Sequence, residues 1–290
     1  MTETPDVLIF SDLDGTLLDH HSYSAEPVKP LLQSLKQQAI PVIFCSSKTF
    51  AEMCHLRQEL DNHNPFIVEN GAAVFLPKQL FNKDLVDSKY PLIERESYIG
   101  ISFCEPKSHW LACIASESSI DKSNYLGFSQ MHLAELIAAT GLDEASAKRA
   151  HQRDFGEPLQ WLGDAQTKLS FIEIMRDKGA TILEGGRFLH VCGATDKGRA
   201  LQWLRDYYQK ITGADTKPTT IAAGDGNNDI AMLEAADRAL IIRSPVNAPP
   251  ALKRKDNIWL STAEGPTGWA ATMPQILLSL NQDPKTNKTT

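Results

Sequence analysis

Uninterrupted apolar runs of four or five residues alternate with amphipathic segments in the outer parts of the chain. Two such runs, Val7–Phe10 and Pro41–Cys45, flank a segment in which apolar residues recur at helical spacing between Val28 and Leu35. Runs at Thr220–Ala223 and Ala239–Ile242 repeat the pattern further along. Continuous apolar strands are typical of parallel sheets that helices cover on both faces. The pattern therefore predicts an α/β fold with a Rossmann-like parallel sheet.

The middle of the chain breaks this alternation. Its mixed composition predicts one strand at Trp110–Ile114 and helices near His132–Ala139 and Glu144–Arg153. An α+β domain inserted into the core, a cap, accounts for such a change of pattern. We therefore predict a core at 1–85 and 190–290, a cap at 86–189, and a disordered polar tail at 281–290.

Composition narrows the class of protein. The 290 residues are 42% hydrophobic and 22% charged, which is typical of a soluble globular chain. A net charge of −7 without a Lys/Arg cluster argues against nucleic acid or an anionic membrane as partner. The five cysteines include no Cys-x-x-Cys pair, and no stretch reads as a signal peptide or a membrane span. We expect a cytoplasmic protein.

Two acidic residues follow the first apolar run. Asp12 and Asp14 are separated by one residue, so a continuing strand would present both on the same face, and Gly15 permits a sharp turn after them. Their like charges repel at neutral pH unless a cation or a shared proton offsets the repulsion. Asp-Gly is also a common turn dipeptide, and taken alone it favours a simple Asx turn.

Polar residues also follow the second apolar run. Hydroxyls and backbone N–H groups of Ser46-Ser47-Lys48-Thr49 stand between a strand end and a predicted helix, which is a suitable cradle for phosphate. The alternative is an ordinary helix N-cap and first turn.

The segment Phe66–Ala72 is predicted as a third strand that meets an Asn70-Gly71 turn, with a returning strand at Ala73–Leu76. Asn-Gly is a strong hairpin signal, so Gly71 is expected to have a turn role only. The end of this strand points to the same edge as Asp12, which makes Glu69 and Asn70 candidates for a site.

Two later segments complete the candidate chemistry. Lys197 falls in the first turn of a helix that Thr195 or Asp196 can cap, where a cation opposes the helix dipole unless an anion is near. An exposed lysine tolerates that cost. The run Thr220–Ala223 leads into Gly224–Asp229, which lacks the alternating acids and distal glutamate of an EF-hand loop.

Taken together and in this order, the four segments resemble the motifs of the haloacid dehalogenase superfamily of phosphohydrolases. The resemblance rests on Asp-x-Asp-Gly-Thr-Leu at 12–17, Ser46, Lys197 and Gly-Asp-Gly-x-Asn-Asp at 224–229. It implies that Asp12 attacks phosphorus and that Asp14 acts as acid and base. It further implies that Ser46 binds the transferring phosphoryl group and that Lys197 contacts both that group and the nucleophile.

The same resemblance implies a magnesium cofactor. Asp12, Asp225 and the backbone carbonyl of Asp14 are the implied ligands of Mg²⁺. Asp229 would ligate it through water or orient Lys197. Mg²⁺ prefers octahedral oxygen ligands and retains waters, which suits carboxylates at strand ends.

Ser47-Lys48 departs from the Gly-Arg of many sugar phosphatases and resembles the Ser-Lys-Thr of the mannosyl-3-phosphoglycerate phosphatase family. The segments 153–158 and 185–190 are similar to that family as well. The resemblance implies hydrolysis of mannosyl-3-phosphoglycerate to mannosylglycerate and phosphate. The substrate-binding residues that we expect are Ser46, Ser47, Lys48, Asn70 and Arg187. Three further charged residues of the cap could bind a carboxylate or sugar hydroxyls: Arg153, Glu157 and Lys168.

Other activities fit the same motifs. The substrate could be glucosyl-3-phosphoglycerate or another sugar phosphate. A phosphomutase would use a similar scaffold but would need a bisphosphate activator and would release no net phosphate. A non-enzymatic sensor of a phosphorylated ligand would have no need for Asp14 beside Asp12.

Overall fold

The computed structural model describes residues 5–185 and 187–280, which form two β-sheets with helices packed on them. The strands are β1 Val7–Ser11, β2 Val42–Cys45, β3 Phe66–Val68, β4 Ala73–Pro77, β5 Leu92–Glu94, β6 Tyr98–Ser102, β7 Tyr125–Gly127, β8 Glu157–Trp161, β9 Thr181–Gly185, β10 Phe188–Cys192, β11 Thr219–Gly224, β12 Arg238–Arg243 and β13 Ile258–Glu264. The α-helices are α1 Lys29–Gln37, α2 Phe50–Glu59, α3 Lys107–Ser116, α4 Leu133–Thr140, α5 Glu144–His151, α6 Ala165–Asp177, α7 Lys197–Thr212, α8 Ile230–Ala235 and α9 Gly265–Leu280. The predicted tail at 281–290 lies outside the described residues.

The larger sheet has the strand order β13-β12-β11-β1-β2-β3-β4-β6-β5. All neighbours from β13 to β3 are parallel, whereas β4, β6 and β5 extend the sheet in antiparallel fashion. The predicted α/β class with a Rossmann-like parallel core is confirmed. Because β1 lies between β11 and β2, the loops after β1, β2, β3 and β11 leave the sheet at one edge.

Alternate residues of β1 face opposite hydrophobic layers. Ile9 packs into a layer that includes Trp269 of α9, and Phe10 packs into one that includes Leu204 of α7. All of these side chains are fully buried. Helices therefore cover both faces of β1, which explains its continuous apolar sequence.

The smaller sheet is antiparallel, with the order β7-β8-β10-β9. Its core includes Trp110 and Ile114 of α3 together with Phe171 of α6. The strand predicted at Trp110–Ile114 is wrong, because these residues form part of α3. An apolar run of this length does not distinguish strand from helix by periodicity, and here the buried pair is spaced four residues apart.

The sheets also bear on where the inserted segment begins. β5 and β6 fall within the predicted cap at 86–189, yet both belong to the larger sheet. β6 pairs with β4 on one side and with β5 on the other. Gly100 and Ser102 interrupt the apolar pattern of β6, so the sequence alone did not predict this strand. We propose that the insertion begins after Ser102 and ends near Cys192. In residues 5–185 and 187–280 no helix is both long and apolar enough to cross a membrane.

Candidate active site

A buried lysine connects two of the strand-end loops. Lys197, the first residue of α7, places its Nζ atom 2.6 Å from Oδ1 of Asp12 and 2.7 Å from Oδ1 of Asp229. The lysine side chain is 0% exposed, and Asp196 caps the helix by accepting from the N–H groups of Gly198 and Arg199. The helix dipole disfavours a cation at this position, but two carboxylates hold the ammonium group of Lys197 there. Burial lowers the pKa of Lys197, and the two carboxylates raise it by more, so the lysine stays charged.

Asp229 has both carboxylate oxygens occupied. Oδ1 accepts from Lys197, and Oδ2 accepts from the backbone N–H groups of Asp225 and Gly226, each at 3.1 Å. Asp229 is fully buried. Asp229 therefore contacts both the lysine and the loop after β11, and its role, ligation of a cation through water or orientation of Lys197, stays a prediction.

Asp225 lies close to Asp12 and Asp229, but its carboxylate accepts hydrogen bonds from neutral side chains. Thr16 Oγ1 donates to its Oδ1 at 3.1 Å, and Asn247 Nδ2 donates to its Oδ2 at 3.2 Å. Gly15 has a φ of 79°, and a Cβ on it would lie 2.7 Å from Oδ2 of Asp225. A residue without a side chain is needed here both for the backbone conformation and for the approach of this carboxylate.

The three acids form a group that fits a divalent cation. One carboxylate oxygen from each of Asp12, Asp225 and Asp229 lies within 4.8 Å of the others. With Asp14, the site holds four acids and two ammonium groups, those of Lys48 and Lys197, so its acids outnumber its cations. Burial and the Asp229 carboxylate raise the pKa of Asp12 above its ordinary value, against the opposing effect of Lys197. Carboxylate oxygens and an excess of acids over cations suit Mg²⁺.

Asp14 is bound by a lysine in the loop after the neighbouring strand β2. Lys48 Nζ lies 2.8 Å from its Oδ2, while its Oδ1 is buried without a hydrogen-bond partner among the described residues. Because these side chains are partly buried, 19% exposed for Lys48 and 35% for Asp14, the pair is better shielded than a surface ion pair. One oxygen of Asp14 is thus fixed and the other is left for a ligand.

The loop after β2 is well ordered by its own contacts. Ser46 is 1% exposed and its Oγ accepts from the N–H of Lys48 at 3.2 Å. Thr49 caps α2 in a reciprocal capping box with Glu52, so this loop leads directly into a helix N-terminus. N–H groups at such a position favour an anion.

The loop after β3 joins the loop after β2. The N–H of Asn70 donates to the carbonyl of Ser46, and the N–H of Glu69 donates to that of Lys48. Glu69 and Asn70 both have positive φ, of 44° and 59°, and Oδ1 of Asn70 is buried without a partner among the described residues. At Gly71 (φ 93°) a Cβ would lie 2.4 Å from the backbone carbonyl of Asp196, so the hairpin packs directly against the start of α7. Gly71 therefore also positions Lys197, in addition to its turn role.

Glu69 makes contacts that extend to the inserted segment. Its Oε1 accepts from the N–H of Asp154 at 2.8 Å, and its Oε2 accepts from those of Phe155 and Gly156 at 3.3 and 3.0 Å. Burial raises the pKa of this carboxyl, whereas Arg153 and the amides act in the opposite direction. Glu69 thus connects the larger sheet to residues 153–156.

Arg187 is not brought to this cluster. It lies directly before β10, is exposed, and donates from Nη2 to the carbonyl of Thr140 at 2.8 Å. β10 leads toward Lys197 from its other end. A role for Arg187 in substrate binding stays a prediction.

Sequence reasoning missed two residues that contact Asp225. Thr16 stands within the opening motif at 12–17, and Asn247 lies outside the four segments that predict the site. The threonine could have been found from its place beside Gly15, whereas the asparagine has no local signal.

Comparison with known proteins identifies relatives. The family model described as haloacid dehalogenase-like hydrolase matches residues 9–128. The glucosyl-3-phosphoglycerate/mannosyl-3-phosphoglycerate phosphatase of Methanococcoides burtonii is 35% identical over 268 residues, which cover 90% of this chain and 94% of that protein.

Solved structures share the fold. TM0651 from Thermotoga maritima has a TM-score of 0.63 at 18% identity, covering 93% of this chain and 96% of that one. The sucrose-phosphatase from Synechocystis sp. PCC6803, in complex with sucrose and phosphate, has a TM-score of 0.54 at 12% identity, covering 94% and 98%. The extent of the match to the Methanococcoides burtonii protein shows that this chain belongs to the haloacid dehalogenase-like hydrolases, in the mannosyl-3-phosphoglycerate phosphatase family, and is a phosphoric monoester hydrolase.

Proposed function

We propose that the protein is a Mg²⁺-dependent phosphatase that hydrolyses mannosyl-3-phosphoglycerate, and glucosyl-3-phosphoglycerate with it, to the glycosylglycerate and phosphate. The observation that carries the chemistry is the gathering of Asp12, Asp225 and Asp229 around Lys197. The substrate is taken from the activity named for the relative in Methanococcoides burtonii.

Asp12 is the proposed nucleophile. Lys197 donates to its Oδ1, which orients the carboxylate and leaves Oδ2 for in-line attack on phosphorus. Attack forms an aspartyl-phosphate and breaks the bond from phosphorus to the leaving oxygen. Lys197 and the groups around Ser46 neutralise and orient the phosphoryl oxygens, since phosphate monoesters are dianions whose hydrolysis is very slow without catalysis.

Asp14 is the proposed acid and base. Its unpartnered Oδ1 carries a proton to the departing glycerate oxygen and later accepts one from the water that hydrolyses the aspartyl-phosphate. Lys48 fixes the other oxygen of this carboxyl and so keeps Oδ1 directed.

A magnesium ion fits the excess negative charge of the site. Asp12, Asp225 and the backbone carbonyl of Asp14 would hold it, and when bound it would supply positive charge to the phosphoryl oxygens. Thr16 and Asn247 hold Asp225 in the orientation that this role needs.

The test is phosphate release by the purified protein. Mannosyl-3-phosphoglycerate, glucosyl-3-phosphoglycerate and a panel of simple sugar phosphates are compared with Mg²⁺ and with EDTA. We expect turnover of both glycosyl-3-phosphoglycerates, its loss in EDTA, and much slower turnover of the simple sugar phosphates. Equal rates on all substrates would contradict the proposed specificity, and interconversion of sugar phosphates without phosphate release would indicate a mutase.

A further inference from the structure

Residues 153–156, which we call the return segment, connect α5 to β8 and lie against the larger sheet. Glu69 binds the backbone N–H groups of its last three residues, and the carbonyl of Asp154 accepts from the N–H of Lys107 at 2.7 Å. Arg95 donates from Nη2 to both carboxylate oxygens of Asp154 at 2.9 Å. The position of the return segment is therefore set largely by Glu69 and Arg95, which belong to the part of the chain that forms the larger sheet.

The first residue of the return segment is an arginine beside the loop after β2. Arg153 Nη2 donates to the carbonyl of Ser47 at 2.9 Å, one residue from Ser46. Its side chain is 13% exposed. The guanidinium group is thus fixed next to the proposed phosphoryl-binding loop.

The hydrogen-bonding capacity of Arg153 is only partly used. Its Nε forms an ion pair with Oε2 of Glu69 at 3.4 Å but is buried without a hydrogen bond, and both oxygens of Glu69 accept from the return segment. Its Nη1 makes no hydrogen bond within residues 5–185 and 187–280. By contrast, Arg95 uses its guanidinium on both oxygens of a carboxylate. Arg153 has donors left for an anion.

The other charged candidates of the inserted segment are placed differently. Arg187 binds the carbonyl of Thr140, and Lys168 pairs with Glu184 at 2.5 Å. Glu157 accepts from the N–H and the Oγ of Ser129, both at 2.7 Å. Among these residues, Arg153 is the one in contact with the loop after β2.

We propose that Arg153 is a specificity-determining residue that binds the carboxylate of the leaving group and so selects phosphorylated glycerates over phosphorylated sugars and polyols. The inference rests on the proposed function and adds the residue that recognises the substrate class. A guanidinium offers a planar fork that matches a carboxylate, and its donors remain charged at all working pH values. Lys197 and Lys48 are paired with Asp12 and Asp14, the acids that the proposed reaction uses, whereas Glu69, the acid paired with Arg153, is engaged with the backbone N–H groups of the return segment.

The test compares two substrates that differ only in this group. One is mannosyl-3-phosphoglycerate, and the other is its analogue in which the glycerate carboxylate is reduced to CH₂OH. For Arg153→Gln we expect kcat/KM to fall by about 10- to 100-fold on the first substrate, mostly through KM, because a hydrogen bond to a charged group is lost. On the reduced analogue the same variant should retain its rate within about threefold. Arg153→Lys should recover part of the discrimination.

Controls separate recognition from structure. Arg95→Gln loosens the same return segment through Asp154 without touching Ser47, and it should leave the ratio of the two rates unchanged. Both rates of a variant are measured on the same preparation, so their ratio does not depend on the fraction of that variant that folds. Equal losses on both substrates, or no loss on either, would refute the role of Arg153 while leaving the proposed function in place. Wild-type protein that hydrolyses other monoesters but not mannosyl-3-phosphoglycerate would overturn the proposed substrate, and this inference with it.

Discussion

Lys197 and Asp12, which are 185 residues apart in the sequence, form a 2.6 Å ion pair in the interior of the protein. The same ammonium group binds Asp229, whose other oxygen holds the loop that carries Asp225. A buried pair of this kind is costly to break, because the remaining charge is left uncompensated. The contact therefore fixes the position of the proposed nucleophile.

Replacing the nucleophile should stop turnover. Asp12→Asn is expected to lower the rate of phosphate release by at least about 10⁴-fold, because an amide does not attack phosphorus. Phosphate release from mannosyl-3-phosphoglycerate with Mg²⁺ measures this. Asp19→Asn, which alters a half-buried acid of the same loop whose carboxylate accepts from Ser22 and His21, should stay within about twofold of wild type. Substantial residual activity in Asp12→Asn would rule out the covalent mechanism.

Magnesium should stabilise the protein through Asp225. The acids of the cluster outnumber its ammonium groups, which favours a divalent cation, and at a hundredfold excess over Kd binding adds about 2.7 kcal/mol to the free energy of unfolding. Thermal unfolding with Mg²⁺ and with EDTA measures the shift. Asp225→Asn should reduce it strongly, and an undiminished shift in this variant would place the cation elsewhere.

Gly15 offers a test of close packing at the cluster. Gly15→Ala adds a Cβ that would lie 2.7 Å from Oδ2 of Asp225. The carboxylate must move, and we expect kcat/KM to fall by about 100-fold, as for a misplacement of about 1 Å. Gly213→Ala is the matched control, because its φ of 67° imposes similar backbone strain but no atom lies within 4 Å of the added group. Equal activities of the two variants would contradict this explanation.

His190 should make stability depend on pH in the acid range. Burial lowers its pKa from 6.5 to about 4, and the charge of Arg153 acts in the same direction. Between these values the unfolded chain binds a proton that the folded protein does not, so the free energy of unfolding decreases as the pH falls from 6.5 to 4. The slope is at most about 1.4 kcal/mol per pH unit. Above pH 6.5 this contribution is fully present.

Urea unfolding at a series of pH values tests this prediction. In His190→Gln the free energy of unfolding should change less between pH 4 and 6.5 than in wild type. His132→Gln, which alters an exposed histidine, should show the same pH dependence as wild type. The same slope in wild type and His190→Gln would show that other groups cause it.

Glu69 should stabilise the attachment of the return segment. Glu69→Gln keeps one acceptor oxygen but places an NH₂ group against backbone N–H donors, and we expect a loss of about 3 kcal/mol in the free energy of unfolding. Glu59→Gln, an exposed change at the end of α2, should have little effect. Denaturant unfolding measures both, and equal stabilities would show that the backbone contacts do not depend on the charge.

Much of the core could be predicted because its signals are local. Apolar runs followed by polar residues indicated β1, β2, β3 and β11, and the parallel order then brought their loops to one edge. Asp12, Lys197, Asp225 and Asp229 are in contact or close together in the structure, as the motifs led us to expect. Their chemical roles remain predictions.

The parts that sequence reasoning did not find depend on distant contacts. Asn247 reaches Asp225 from a loop with no helical or strand pattern, and β6 becomes a strand through pairing with β4. Trp110–Ile114 is apolar enough for either type of element, and packing on the smaller sheet decides for helix. No local pattern carries this information.

Only four residues, 193–196, separate the end of β10 from Lys197. At the far end of this connection Gly71 packs against the backbone of Asp196. The backbone immediately before Lys197 is therefore packed against the hairpin between β3 and β4. The lysine that holds the proposed nucleophile thus takes its position from the same sheet that carries Asp12 and Asp225, and not from β10 alone.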